Sequence, residues 1–142
     1  MKSLPDTVSE SRSVVVEREL AFTPEKIWRA LTQAKLIEQW LMKNDFAPVV
    51  GHHFKLTADW GQIDCQVLLV EPDEVLSYTW NTMGLDSVVT WTLTPAAAGT
   101  RLHVEHTGFR PDQDQVYQGA QYGWQQFFGN LERFFEKGGV VS

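Results

Sequence analysis

Between Asp112 and Lys137 the apolar residues recur every three or four positions. Ala120, Trp124, Phe127, Phe128, Leu131, Phe134 and Phe135 fall on one stripe, with Gln, Glu, Asn and Arg between them. That period predicts one long amphipathic helix. Asp112 followed by Gln115 suggests a capping box at its start, and Gly138-Gly139 a stop at its end. A stripe carrying this many rings needs a broad apolar surface to lie on.

The rest of the chain supplies such a surface. Ser13 to Phe22 alternates with period two, Val14, Val16, Arg18, Leu20 and Phe22 on the inward parity, and predicts a strand. Thr23-Pro24-Glu25 is a helix start: a hydroxyl cap, proline at the first helical position and a carboxylate at the positive end. Ile27, Trp28 and Leu31 give that helix one apolar face. Leu36, Ile37, Trp40 and Leu41 mark a second short helix. After Pro48 the period returns to two. Five runs follow, with His52, Phe54, Leu56, Ala58 and Trp60 inward, then Ile63, Cys65, Val67 and Leu69. Next come Leu76, Tyr78 and Trp80, then Val89, Trp91 and Leu93, then Leu102, Val104 and His106. Short turns separate them, so they should pair as antiparallel neighbours. The predicted fold is α+β: a curved antiparallel six-stranded sheet wrapped around a long C-terminal helix, with two short helices between strands 1 and 2. Residues 1–12 are polar and expected to be a flexible leader to a single domain over 13–142.

Composition narrows the function classes. The chain has 142 residues, a formal net charge of -6 and 21% charged residues, without a Lys/Arg cluster. That argues against nucleic acid and against anionic lipid as partners. No apolar run is long enough to insert in a bilayer. With one cysteine, Cys65, there is no internal disulfide. The N-terminus lacks the apolar centre of a secretory signal, so the cytoplasm is the default location.

Thr23-Pro24-Glu25-Lys26-Ile27-Trp28-Arg29-Ala30-Leu31-Thr32, followed by Trp40, resembles the opening signature of the START-like (SRPBCC) superfamily. More narrowly it resembles the branch related to the C-terminal domain of the heat-shock-protein-90 ATPase activator. Leu76 to Trp80, Thr107-Gly108-Phe109 and Gly123-Trp124 fall where that branch has similar segments. The resemblance runs from Ser13 to Lys137. It implies a helix-grip fold with a cavity between sheet and long helix, suited to apolar or aromatic small molecules. It does not imply one activity, since members bind ligands, act as cyclases or bind chaperones.

The ligand-binding candidates are Arg18, Trp28, Trp40, Phe54, Tyr78, Trp80, Trp91, His106, Trp124 and Phe128. Most are read first as core, and the mid-helix pair Trp124 and Phe128 as the best cavity walls. Arg18 sits on inward parity, so it pairs with a carboxylate, snorkels to the edge of the sheet, or reads an anionic or carbonyl group of a ligand. A metal site is not expected. His52 and His53 point to opposite faces, as do His103 and His106. No nucleophile, phosphate loop or dinucleotide motif is present, so no cofactor is called for. Three functions follow. The first is binding of a lipid-like or polyketide- or flavonoid-like molecule, for sequestration or in stress response. The second is a chaperone-activator-like interaction module. The third is a cyclase or isomerase using His106 and Tyr78 as acid and base. An open sheet edge also allows a homodimer.

Overall fold

A computed structural model describes residues 12–137. The N-terminal stretch before Arg12 and the Gly138-Gly139 stop lie outside the described residues. The element order is β1 (Arg12–Leu20), α1 (Pro24–Thr32), α2 (Ala34–Trp40), β2 (Lys43–Asn44), β3 (His53–Ala58), β4 (Gly61–Glu71), β5 (Val75–Thr82), β6 (Leu85–Ala96), β7 (Gly99–Phe109), a 3-10 turn (Pro111–Gln113) and α3 (Asp114–Glu136). All strands join one antiparallel sheet in the order β1-β7-β6-β5-β4-β3-β2. The fold is thus the α+β helix-grip arrangement, with the crossover of the α1–α2 pair carrying the chain from one edge of the sheet to the other.

The sheet has seven strands where the periodicity shows six. The added strand, β2, is two residues long. Two residues cannot display alternation, so nothing in the pattern marks it. A second difference lies in β4. Val67 pairs with Tyr78 but Leu69 pairs with Ser77, which leaves Leu68 as an extra residue. Such a bulge reverses side-chain parity beyond it. Leu69, expected inward, is therefore exposed, and Val70 packs on the core instead. β7 carries its own irregularity at Gly108, whose φ is +120°. A Cβ there would sit 2.9 Å from the Asp86 carbonyl, so only glycine lets the strands approach this closely. The kink turns Phe109 fully inward.

Thr23 caps α1, its hydroxyl accepting from the Lys26 N–H at 3.2 Å. The start of α3 differs from the expected Asp112/Gln115 box. Gln113 occupies that role: its Oε1 accepts from the Arg110 N–H at 2.9 Å, and its Nε2 donates to the Gly84 carbonyl at 3.2 Å. The second bond ties the 3-10 turn that leads into α3 to the β5–β6 hairpin.

The long helix packs in two different ways along its length. Its C-terminal half drives Phe128, Leu131 and Phe135 into the core, all buried. There Phe128 stacks on Trp91 at 5.8 Å and Phe135 on Phe22 at 4.8 Å. Trp40 closes the same region from α2, its ring edge-on to Trp91 and its indole N–H donating to the Ala30 carbonyl at 2.9 Å. The N-terminal half presents Gly119, Ala120 and Gly123 to the sheet, and these cannot fill the same space.

Candidate functional site

A hollow of about 470 Å³ opens where the small residues of α3 face the sheet. Its helical wall is Val116, Gly119, Ala120, Gly123, Trp124 and Phe127, with Gln115 at the outer end. Ile63, Trp80, Leu85 and His106 form the sheet wall. The mouth is set by Met42 after α2, by Trp60 in the β3–β4 turn, and by Thr82 and Met83 at the β5–β6 turn. Trp60 and Met83 are strongly exposed, at 56% and 77%. A cavity of this size is in the range that holds drug-sized molecules. Among the described residues no charged side chain lines it.

Met83 and Gly84 form the two-residue turn with φ of +48° and +80°. Both central positions of such a hairpin need positive φ, and asparagine is the usual first residue. A methionine held there is strained by its Cβ. The strain coincides with the placement of a flexible thioether at the cavity mouth.

His106 forms the floor and is 1% exposed. The Trp124 indole N–H donates to its Nδ1 at 2.9 Å. Indole nitrogen only donates, so Nδ1 is the unprotonated nitrogen. The proton therefore sits on Nε2 and is donated to the Ser87 hydroxyl at 2.8 Å, which in turn donates to the Trp80 carbonyl at 2.5 Å. The chain runs Trp124 to His106 to Ser87 to Trp80, every donor used. Burial, with no compensating charge nearby, lowers the His106 pKa to about 4. The neutral ring is thus a fixed aromatic wall, tilted against Trp80 at 5.3 Å and edge-on to Phe109 at 4.7 Å.

Of the ten candidate positions, Trp80, His106 and Trp124 line the hollow. The other seven lie elsewhere. Arg18 is half-exposed and crosses to α3, donating to Gln125 Oε1 at 2.9 Å, with Glu132 at 3.9 Å. Its parity is inward, and the helix supplies both of its side-chain partners. Tyr78 is buried with Phe54 and Phe46, and its hydroxyl accepts from the Trp91 indole N–H at 3.0 Å. Burial pushes its phenol pKa upward, opposed by the Trp91 bond. Trp40, Phe54, Trp91 and Phe128 are core, and Trp28 is half-buried against it. Tyr78 does not reach the hollow, and both His106 nitrogens are already bonded. An acid–base pair of these two residues therefore does not converge on one ligand position. Among the described residues no three His, Cys, Asp or Glu side chains gather as metal ligands.

Several lining residues were not among the candidates: Met42, Trp60, Met83, Gly119, Ala120, Gly123 and Phe127. The recurrence of Gly119, Ala120 and Gly123 on the apolar stripe was the available signal. It is a run of small residues where the rest of the stripe carries rings.

The profile of the family described as Activator of Hsp90 ATPase homolog 1-like protein matches residues 21–136. The chain belongs to that family. Its place within the START-like superfamily follows, and with it a fold that in general serves hydrophobic-ligand binding. Among solved structures, protein MLL2253 from Mesorhizobium loti is 57% identical, over 89% of this chain and 98% of its own, with a TM-score of 0.87. Protein BH1534 from Bacillus halodurans is 28% identical, over 86% and 95%, with a TM-score of 0.77. DynU16, from the dynemicin biosynthetic locus, is also 28% identical, over 89% of this chain and 48% of its own, with a TM-score of 0.81. No curated protein matches the chain. No helix among the described residues is long and apolar enough to cross a membrane.

Proposed function

We propose that this member of the Hsp90-ATPase-activator-like family binds an aromatic small molecule in the hollow under the first half of α3. The observation that carries the reading is the change in packing along that helix. One half is filled by Phe128, Leu131 and Phe135, and the other is left open by Gly119, Ala120 and Gly123. An apolar hollow open to water keeps its lining hydrated, and an apolar ligand that fills it removes that area from water, which is favourable. Trp60, Trp80, Trp124 and Phe127 offer a ligand ring-to-ring contact, and Met42 and Met83 adapt to its outline. Sequestration of such a compound in the cytoplasm, as in a stress response, needs no catalytic group.

Titration with N-phenyl-1-naphthylamine, an uncharged dye, tests this. Binding should change the tryptophan emission and raise the melting temperature. Gly119→Leu and Gly123→Leu, which put side chains into the hollow, should each abolish both signals while preserving the fold. Unchanged binding in both variants would place the dye elsewhere.

A second reading, contact with a chaperone, draws on the family's description. Val49, Val50, Leu68 and Leu69 are exposed, and the Gly51 N–H bond to the Val67 carbonyl at 2.8 Å brings the two segments alongside each other at the β4 bulge. Stimulation of a chaperone ATPase that is lost in a Leu68→Ser/Leu69→Ser variant would support it.

A further inference from the structure

Resting on the binding reading above, we infer that the ligand is an uncharged, flat aromatic molecule that enters ring-first and keeps its one polar group at the mouth. The floor supplies the first argument. It is made of Trp80, Trp124 and His106, and the His106 ring has both nitrogens committed inside the protein. A polar atom delivered there would find no partner, and burying one unpaired is strongly unfavourable. The deep end accepts rings only.

Charge supplies the second argument. None of the lining side chains is ionisable near neutral pH, since His106 is held neutral by its two bonds and its burial. An anion has no arginine or lysine to meet: Arg18 is spent on Gln125 and Glu132 outside the hollow. A cation has no carboxylate in the lining either.

The third argument is where polar groups remain. Thr82 and Gln115 are the polar lining residues besides His106. The Gln113 bond to the Gly84 carbonyl holds the 3-10 turn that leads into α3 against the β5–β6 turn, which puts both at the same, outer end. The Thr82 hydroxyl donates to the Gln62 carbonyl at 3.1 Å, which leaves its oxygen free to accept. Gln115 offers an amide that both donates and accepts. Together they suit a hydroxyl, carbonyl or carboxamide.

Four probes of one ring system separate the possibilities: pyrene, 1-pyrenecarboxamide, 1-pyrenecarboxylate and 1-pyrenemethylammonium, each titrated at pH 7.5. The carboxamide should bind at least about tenfold more tightly than either ion, because seating the group against Thr82 and Gln115 strips water from a charge that no lining residue offsets. Thr82→Val and Gln115→Leu should each weaken the carboxamide roughly 3- to 10-fold, one hydrogen bond's worth, and leave pyrene unchanged. An ion binding as tightly as the carboxamide overturns the inference. So does a carboxamide affinity untouched by both substitutions. Failure of all four probes would remove the binding reading as well, whereas tight binding of an ion would leave that reading standing.

Discussion

His106 is legible in the sequence as an inward residue, and its hydrogen-bond partners are not. Alternation along β7 is enough to place it inward, beneath the helix. What it does there depends on Ser87 and Trp124, which are 19 and 18 residues away, and no local pattern predicts that relay. The relay has a consequence for pH. The folded pKa near 4 lies below the ordinary histidine value of 6.5, so the unfolded chain binds the proton first. The contribution is complete above pH 6.5 and is lost as pH falls toward 4, by up to roughly 3 kcal/mol from a shift of that size. Urea unfolding between pH 4 and 7 should show this slope, and His106→Asn should flatten it. Cys65 gives a second check at this scale. Burial, with Asp64 and Asp45 adding smaller repulsions, pushes its thiol up to about 12. The native protein should resist iodoacetamide at pH 8 and become labelled only in denaturant; rapid native labelling would contradict its placement. Arg18 shows the limit of parity arguments. Its strand position was legible, but its partners Gln125 and Glu132 sit on a helix more than a hundred residues away.

At the scale of elements, regular periodicity was readable and its interruptions were not. The helices α1 and α2 and the five long strands of the meander follow from apolar spacing, because each buries one face. The β4 bulge and the two-residue β2 do not, because each depends on what the neighbouring strand does. Two glycines separate the meanings that glycine has here. At Gly108 a Cβ would strike the Asp86 carbonyl at a φ of +120°, so Gly108→Ala should lower stability by roughly 1–3 kcal/mol. At Gly119 a Cβ meets nothing within 4 Å. Gly119→Ala should therefore raise stability by about 1 kcal/mol through helix propensity alone. Thermal melts of the two variants read both signs. A destabilised Gly119→Ala would mean that the helix already touches the sheet at that point.

For the whole molecule, the arrangement makes one half of the long helix a structural post and the other half a roof. The post holds Trp91, Trp40 and Phe128 in contact and so fixes the sheet. The roof spans a hollow whose floor is a closed hydrogen-bond chain and whose mouth lies between the tips of two hairpins. Seen as a sequence, the helix is one continuous aromatic stripe, and its division appears only when the small residues are mapped onto the sheet. The direct test is an isotope-filtered NOE experiment on the labelled protein with bound N-phenyl-1-naphthylamine. Cross-peaks from the dye to the Met42 and Met83 methyls, the Gly119 α-protons and the Trp124 ring are the predicted result. Cross-peaks confined to the outer patch at Val50, Leu68 and Leu69, with none to α3, would contradict it.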